Sequence, residues 1–443
     1  MIHPIEVRYG KKEVKDIFEE ENKLQKILEV EAALARAHAE VGNIPKKAAD
    51  IISKKVKEKV VTVLRVSEIE EEINHDLMAM VKALSEQCGD EAGKYIHLGA
   101  TSNDIQDTAL ALQLKEYIKY LDCDLQNLKK ILLKLSGEHK KTVCIGRTHA
   151  QHAVPTTYGL KFAIYACEVQ RHIDRLEECK KRILVGQMTG AVGTQAALGK
   201  HAVKIQKLIM KDLQLGSVLV SNQVIQRDRH AEFLLNLALI SETLNKIATE
   251  IRNLQRTEID EVSEGFGKKQ VGSSTMPHKR NPIIAERICG LSRIIRADAF
   301  AAMDNIPLWH ERDLTNSSPE RILIPESCIL TDYILNLTID LLTNLVFKHE
   351  NIKRNLMMSE TIMAESIMIE LFDKGMGRQV AHELVRECAM ESYKSDKTFK
   401  EILTENEQVR AYLSKGEIWD ALNPVHYIGT AVEQVENVIK KLG

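Results

Sequence analysis

The sequence predicts an all-α fold, because two features favour long helices and almost nothing favours strands. Only nine prolines occur in the 443 residues. The runs 46–154, 156–276 and 326–423 contain none, so no proline interrupts a helix within them. Apolar residues recur at helical spacing in several of these runs, whereas the alternating pattern of half-buried strands is nearly absent. We therefore expect a bundle of long helices.

The helices are predicted from apolar periodicity, and residues 105–139 and 326–347 both show a helical pattern. The clearest pattern lies around 231–262, where apolar residues recur at alternating steps of three and four. These residues are Leu237, Ile240, Leu244, Ile247, Ile251 and Leu254. A weaker version runs through 159–185, at Ala166, Val169, Ile173, Leu176 and Ile183. Such seams favour packing of helices at shallow crossing angles.

The length exceeds that of one ordinary hydrophobic core, so we expect several modules. We predict an N-terminal helical domain at 1–104, a central long-helix bundle domain at 105–352 and a C-terminal helical domain at 353–443. Long helices that are apolar on more than one face often bury the second face against another subunit. An oligomer is therefore expected, and the alternative is a monomeric bundle with a thick core.

The charge of the chain argues against several classes of partner. The formal net charge is -2 and the pI is near 6.7, which gives no general attraction to nucleic acid or to an anionic membrane. The N-terminus has no apolar segment of signal-peptide length, and no stretch reaches the ~18 uninterrupted apolar residues of a membrane span. We therefore expect a cytoplasmic protein.

No metal or cofactor is expected from the sequence. The eight cysteines form no CxxC pair, so they are interpreted as reduced thiols in helix packing. Neither HExxH nor a GxGxxG motif after a strand is present. His149 and His152 are three residues apart and could share a helical face, but no third ligand lies near them in the sequence.

The strongest chemical signal is the segment 272–282, GSSTMPHKRNP. Small serines before a proline are typical of an exposed loop, and Lys279, Arg280 and Asn281 place positive charge and hydrogen-bond donors just after it. Nearby positive charge favours the ionised form of a hydroxyl, which makes a serine here a plausible base or nucleophile. The ordinary alternative is a flexible linker, with Asn281 and Pro282 starting a helix at Ile283.

This segment resembles the signature loop GSSxMPxKxNP of the fumarase/aspartase superfamily, with every fixed position present. The resemblance implies a trimodular helical fold, a homotetrameric helical core and elimination of fumarate from a succinyl-type substrate. It also implies that Ser274 is the general base and that Ser273 contacts the substrate. Lys279 and Asn281 would hold the substrate's carboxylates.

Two further segments are similar to the superfamily's other signatures and occur in the expected order. They are 97–104, HLGATSND, and 146–151, GRTHAQ. Their likeness makes His149 the candidate general acid. Ala150 and Val154 stand where the family often has a glycine and a glutamate, and we expect them to alter only local packing.

Within the superfamily the chain looks like the adenylosuccinate lyase family, on features near both ends. The family's matching segments are Arg8-Tyr9, the residues around His75, Gln223 with the run 226–230, the stretch 311–321, and 422–429. The likeness implies release of fumarate from adenylosuccinate to give AMP, and from the succinylated aminoimidazole carboxamide ribotide (SAICAR to AICAR), without a cofactor.

Site roles follow from the same likeness. His75 would orient the acid or a substrate carboxylate, while Glu286 and Arg312 would line the pocket. The remaining substrate-binding candidates are Arg8, Tyr9, His97, Thr101, Ser102, Gln223, Ser317 and Arg321. The expected partners are a small nucleotide and three further copies of the chain, with active sites shared between subunits.

Each of these residues also has a structural interpretation. Arg8 would then be a solvated charge and His75 a paired surface imidazole. Arg312 and Arg321 would be ion-pair partners of Glu311 and Glu320. At the level of function, the alternatives are another fumarate-releasing lyase, such as an argininosuccinate lyase, and a structural protein without catalysis. Phosphate-dependent binding would separate the first alternative from the family above.

Overall fold

The computed structural model describes residues 3–267, 275–276 and 278–443, and this part of the chain is predominantly helical. The all-α prediction is confirmed. In chain order the helices are α1 Lys12–Phe18, α2 Glu20–Glu40, α3 Lys46–Lys57, α4 Val63–Ile73, α5 Asp76–Gly93, α6 Ser102–Glu138, α7 Tyr158–Ile183, α8 Ala202–Leu213, α9 Asp228–Leu254, α10 Ile283–Met303, α11 Ser317–Thr343, α12 His349–Leu356, α13 Ala364–Asp373, α14 Arg378–Ser392, α15 Phe399–Glu405, α16 Glu407–Arg410, α17 Lys415–Ala421 and α18 Ala431–Leu442. Short 3₁₀ helices cover Ala196–His201, Glu360–Met363 and Pro424–His426.

The long helices form where apolar periodicity predicted them. All six seam residues of α9 and all five of α7 are buried. Pro282 precedes α10, which begins at Ile283 as expected. Two helices end earlier than the apolar pattern indicated. The pattern ran to residue 262 for α9 and to residue 347 for α11, whereas these helices end at Leu254 and Thr343.

Short strands occur in three pairs within the described residues. Strands β1, Val143–Thr148, and β2, Gln151–Thr157, form an antiparallel hairpin with an irregularity between Ile145 and Arg147. Strands β3, Val185–Gly186, and β4, Gly216–Ser217, pair in parallel, and β5, Val262–Ser263, pairs antiparallel with β6, Val346–Phe347. The hairpin was missed from the sequence, and it corrects the suggestion that His149 and His152 share a helical face.

One helix in the described residues, α11, is long and apolar enough to cross a membrane by length and composition. In its most apolar window 67% of the residues are buried inside the protein. Core helices of water-exposed folds have the same property, since they are surrounded by protein rather than by solvent.

The chain divides into two compact units. Unit 1 contains Met1–Gln126, Arg171–Leu244 and Ile288–Asn336, and unit 2 contains Asn127–Gln170, Asn245–Arg287 and Leu337–Gly443. The division into domains at 1–104, 105–352 and 353–443 stays a prediction.

Each unit has a hydrophobic core of its own. In unit 1, α2 packs against α3 and α8, and α5 packs against α3 and α4, around side chains such as Leu28, Ile52 and Leu84. In unit 2, α13, α14, α15 and α17 surround Leu371 and Leu403. Helices α15 and α17 of this core both begin with a complete capping box, which satisfies N–H groups at their first turn.

Candidate active site

A cleft of about 560 Å³ in unit 1 brings together five of the residues predicted for the site. They are His75, Ser102, Arg312, Ser317 and Arg321. These residues come from four separate parts of unit 1: the start of α5, the start of α6, the segment before α11, and the first turns of α11. Helix starts supply unpaired backbone N–H groups, which suit an anionic ligand.

His75 is placed in the cleft by the sharp turn between α4 and α5. Asn74 ends α4 in the left-handed conformation, with φ 53°, which asparagine tolerates better than most residues. The chain then reverses, and the Nδ1 atom of His75 accepts a hydrogen bond from the backbone N–H of Met78 at 3.3 Å. The imidazole is exposed, so its Nε2 side remains available to a ligand.

An ion pair joins two walls of the cleft. Arg321 Nη2 donates to Asp76 Oδ2 at 2.7 Å, and Gln106 Nε2 donates to the same oxygen at 3.3 Å. Burial alone would raise the pKa of Asp76. The hydrogen bonds from the Leu77 backbone and from Arg321 outweigh burial and lower that pKa below its usual value. Arg321 therefore pairs with Asp76, and its expected structural partner Glu320 binds elsewhere.

Arg312 is held by a second residue predicted for the site. Its Nη1 donates to Gln223 Oε1 at 3.1 Å, and Gln223 Nε2 donates to the carbonyl of Ala191 at 3.1 Å. Arg312 Nε is buried and has no hydrogen-bond partner among the described residues. Because a buried unpaired donor costs free energy, this atom favours an acceptor brought by a ligand. The alternative pairing of Arg312 with Glu311 is not observed.

Beneath the cleft lies a buried charge network that sequence reasoning missed. Arg227 is 3% exposed and makes two-pronged contacts with Asp107, at 2.8 and 2.9 Å, and with Glu320, at 2.9 and 3.1 Å. Asp107 also accepts from the backbone N–H of Ile225, and Glu320 accepts from Asn316. The network ties α6 and the start of α9 to the first turn of α11, which carries Ser317 and Arg321.

Burial and the charge of Arg227 together shift the pKa values of the neighbouring ionisable groups in this network. Burial and the Arg227 charge together lower the pKa of His230 to about 3, so this imidazole stays neutral. Burial alone would raise the pKa of the Asp107 carboxyl. The charge and the hydrogen bonds of Arg227 outweigh burial, so this pKa is lowered. The sequence signal for this network was the run 226–230, which had been assigned to the family without a role.

His97 and Thr101 are not among the residues that line the cleft, although both lie just before α6. His97 has φ 62° and its Nδ1 contacts the buried Glu31 carboxylate at 2.7 Å. Burial lowers the pKa of His97, but the hydrogen bond and charge of Glu31 outweigh it, and the net shift is upward. The backbone N–H of Thr101 donates to Asp104, a buried carboxylate that also accepts from the loop at Thr189.

Arg8 and Tyr9 are on the N-terminal segment and are likewise absent from the lining of the cleft. The Tyr9 ring lies 5.4 Å from the ring of Tyr333 on α11, which anchors the segment. Arg8 is exposed, with its guanidinium 6.0 Å from the Tyr9 ring. An exposed cation beside an anchored ring can reach a ligand, and Arg8 forms no ion pair with any residue that the structure describes.

In unit 2, His149 lies at the tip of the β1–β2 hairpin. His149 and Ala150 both have left-handed backbone conformations, with φ 53° and 61°. Two such residues in succession match the two-residue turn that fits the twist of a hairpin. The side chain of His149 is exposed at this tip.

The other predicted residues of unit 2 precede or begin α10. Lys279 is exposed, Asn281 is half-buried, and Glu286 is exposed in the first turn of the helix. The helix start is fixed by Glu264, whose carboxylate accepts from the backbone N–H groups of Ala285, at 2.7 Å, and Ile284, at 3.2 Å. Ser273 and Ser274 lie outside the described residues.

Among the described residues, no cluster of three or more His, Cys, Asp or Glu side chains could hold a metal ion. The described groups are instead suited to binding anions and moving protons. Arginine side chains, hydroxyl groups and helix N-termini surround the cleft of unit 1, and an exposed histidine and a lysine stand in unit 2.

Two family models and several known proteins match the sequence of this chain. A family model described as Lyase matches residues 8–296, and one described as Adenylosuccinate lyase C-terminus matches residues 360–438. The chain is 57% identical to the adenylosuccinate lyase of Pyrococcus abyssi, over 99% of this chain and 97% of that one. It is 56% identical to the adenylosuccinate lyase of Methanocaldococcus jannaschii, over 100% and 96% of the two chains.

Solved structures give a consistent result. A fumarate lyase from Mesorhizobium sp. BNC1 superimposes with a TM-score of 0.90 at 31% identity, covering 97% of this chain and 98% of that one. The 3-carboxy-cis,cis-muconate lactonizing enzyme of Pseudomonas putida has a TM-score of 0.89 at 32% identity, with coverage of 98% and 97%. Enzymes that catalyse different reactions therefore share this fold. The fold alone does not identify the reaction, which must be argued from the residues of the site.

Proposed function

The chain belongs to the adenylosuccinate lyase family of the fumarase/aspartase superfamily, and from this premise we propose how its residues carry out the reaction. The enzyme is a C–N lyase that releases fumarate from adenylosuccinate to give AMP, and from SAICAR to give AICAR. The observation that supports the nucleotide assignment most directly is the cleft of unit 1, which gathers Arg312, Ser317 and Arg321 beside His75.

The first chemical requirement is a base. A proton must leave the succinyl carbon adjacent to a carboxylate, and the negative charge then develops on a group that is already anionic. We assign the base to Ser274 and the stabilisation of the developing charge to Lys279 and Asn281. A serine hydroxyl is a weak base in water, so the assignment requires desolvation and nearby cations when substrate is bound.

The second requirement is an acid. As the carbon–nitrogen bond breaks, its electron pair stays on the nitrogen and the carbon–carbon double bond of fumarate forms. The nitrogen must take up a proton, and His149 is assigned as the donor because an imidazole titrates near neutrality. His75 orients this acid or a substrate carboxylate, and Glu286 is assigned to the lining of the pocket. The chemistry consists of proton transfers and charge stabilisation and draws on no cofactor.

The third requirement is recognition of the nucleotide and of the succinyl part. Arg321, Ser317 and Arg8 are assigned to the phosphate, because guanidinium groups match its oxygens in geometry and charge. Tyr9 is assigned to the phosphate together with Arg8, and Arg312 is assigned to the lining of the pocket. Ser273, His97, Thr101, Ser102 and Gln223 contribute to binding of the succinyl part.

Assembly is part of the proposal, because the assigned residues are distributed over more than half of the chain. We propose a homotetramer in which each active site takes residues from three subunits, four sites per tetramer. Long helices with exposed apolar side chains support an assembly, since such side chains commonly mark subunit contacts. The exposed apolar side chains include Leu235 and Leu239 on α9 and Phe300 on α10. The side chain of Phe300 is 70% exposed. The proposed location is the cytoplasm.

The experiment is to mix purified protein with adenylosuccinate, follow ultraviolet absorbance, and identify fumarate and AMP by chromatography, without added metal or cofactor. Wild type should form both products, and Ser274→Ala should lower kcat by about 10²–10⁴-fold, the usual contribution of a general base. Consumption of argininosuccinate, malate or aspartate with adenylosuccinate untouched would overturn the nucleotide assignment. An absence of reaction with all of them would favour a structural protein.

A further inference from the structure

Glu261 is a fully buried carboxylate, with an exposed fraction of 0%, and it lies far in sequence from the groups that surround it. Its two oxygens accept three hydrogen bonds. Arg147 Nη2 donates to Oε1 at 2.5 Å, Asn355 Nδ2 donates to Oε1 at 3.0 Å, and Tyr158 Oη donates to Oε2 at 2.5 Å. A buried charge is tolerated only when it is paired and hydrogen-bonded, and this carboxylate is both.

The backbone of Glu261 is fixed as well as its side chain. Its N–H donates to the carbonyl of Leu254 at the end of α9, and its carbonyl accepts from the N–H of Lys348 beyond β6. Asn355 on α12 donates in addition to the carbonyl of Ile259. The carboxylate is therefore a fixed point, and groups that bind to it are held in place.

Two of the three donors lie on either side of the turn that joins β1 and β2. Arg147 is the fifth residue of β1 and stands opposite His152 of β2, while Tyr158 follows directly after β2. Between them lies the turn formed by His149 and Ala150, both at positive φ. A left-handed residue other than glycine costs roughly 1–2 kcal/mol, so this turn persists only if the strands on either side are held.

We propose that Glu261 is a positioning residue for His149, because it binds Arg147 of β1 and Tyr158 directly after β2 and so fixes the direction in which the exposed imidazole points. This inference rests on the proposed role of His149 as the acid. Glu261 itself is buried and does not reach the reacting atoms.

The carboxylate charge matters as well as its shape. With an amide in its place, the Arg147 guanidinium would lose its counter-ion and one of the donors would face an N–H group. Burial and the negative charge of Glu261 raise the pKa of Tyr158 far above its usual value, so its hydroxyl remains a donor throughout the working pH range.

The test compares Glu261→Gln with Glu250→Gln in the full-length enzyme. Glu250 is a control in unit 2, since it pairs with Lys161 at 2.8 Å and, among the described residues, makes no hydrogen bond or ion pair with the hairpin. Three quantities are measured: kcat, KM, and deuterium exchange of peptides covering 143–157. For Glu261→Gln we expect kcat to fall roughly 10- to 100-fold, KM to stay within about twofold, and exchange in the hairpin to rise. Glu250→Gln should resemble wild type.

A double-mutant cycle separates positioning from general loss of structure. In a His149→Gln background, Glu261→Gln should change kcat by less than about twofold, because the side chain that it positions is already gone. An equal loss of kcat in both backgrounds, a change confined to KM, or unchanged exchange in the hairpin would each overturn the proposal.

Tyr158→Phe serves if Glu261→Gln does not fold, because it removes one donor and leaves the charge pair intact. For Tyr158→Phe we expect kcat to fall and exchange in the hairpin to rise, as for Glu261→Gln, but by smaller amounts. If wild type releases no fumarate from any substrate, the proposed function fails on that result alone. The exchange comparison then decides separately whether Glu261 holds the hairpin.

Discussion

Arg321 and Asp76 form an ion pair of 2.7 Å between the first turns of α11 and of α5, at the edge of the cleft in unit 1. Arg321 is about half exposed, so water screens the pair and its own contribution to stability is small. A guanidinium carries five N–H donors, and Asp76 occupies one of its nitrogens. The pair therefore orients Arg321 while leaving further N–H donors on the guanidinium, which suits the phosphate contact that we propose.

Replacement of Arg321 by alanine should weaken nucleotide binding and spare the chemical step. We expect KM for adenylosuccinate to rise roughly 10- to 100-fold, the loss of charge-assisted hydrogen bonds of about 1.5–3 kcal/mol, with kcat nearly unchanged. Steady-state kinetics measure both constants, and inhibition by AMP should weaken in parallel.

Arg65 provides the control for this substitution. It is an exposed arginine of unit 1 that also pairs with carboxylates, Glu68 and Glu86, but it does not line the cleft. Arg65→Ala should leave KM unchanged. If both variants raise KM equally, the effect is one of general surface charge and Arg321 has no specific role.

The buried network around Arg227 should be the most sensitive element of unit 1. Arg227→Met leaves the carboxylates of Asp107 and Glu320 buried without a counter-ion, which costs about 3–5 kcal/mol of unfolding free energy. Urea denaturation at one fixed protein concentration measures this loss. Arg182→Met, which breaks an exposed pair with Glu232, should shift the midpoint far less. Similar midpoints for the two variants would contradict the network's role.

The His97–Glu31 contact predicts a pH dependence of stability. The folded-state pKa of His97 is raised above the usual 6.5, so the protonated imidazole favours the folded state. This contribution is fully present below pH 6.5 and is lost as the pH rises through the folded-state pKa. We therefore expect the Tm difference between wild type and His97→Asn to be largest at acid pH and to shrink above pH 6.5.

Thermal unfolding between pH 5.5 and 8.5 tests this expectation. Asparagine is chosen because residue 97 has φ 62°, which asparagine accepts without added strain. His426→Asn is the control, since it removes an exposed histidine whose pairing with Asp420 is screened by water, and its Tm difference should be smaller than that of His97→Asn at acid pH. A difference for His97→Asn that grows toward alkaline pH would reverse the assigned sign.

The helical fold was predictable because its signal is local. The seam residues of α7 and α9 recur every three or four positions, and their burial follows from that spacing alone. The hairpin at 143–157 was missed for a physical reason: its turn, His149-Ala150, lacks the Asn-Gly or Asp-Gly pair that usually announces such turns. Glu261, which accepts hydrogen bonds from Arg147 and Tyr158, lies more than a hundred residues away in the sequence.

The site was predictable only in part. Five residues assigned by family likeness do share one cleft, because each lies at or near a helix start that the sequence marks with polar residues. The residues that hold these five side chains in place could not be predicted from the sequence. Arg227 contacts Glu320 across 93 positions, and no local pattern relates a buried arginine to a carboxylate on another helix. Likeness to a family identifies the groups that meet the substrate more readily than the groups that hold them.

The proposed sharing of active sites between subunits leads to a final prediction. Variants His149→Ala and Ser274→Ala should each lose nearly all activity, because each lacks one of the two groups that we propose transfer protons. If a single site takes these two residues from different subunits, a hybrid tetramer contains some sites in which both are intact. Mixing the two variants under conditions of subunit exchange should then restore activity, whereas mixing each variant with itself should not. Native mass spectrometry would verify that hybrids form, and hybrids without activity would show that both residues of a site come from one chain.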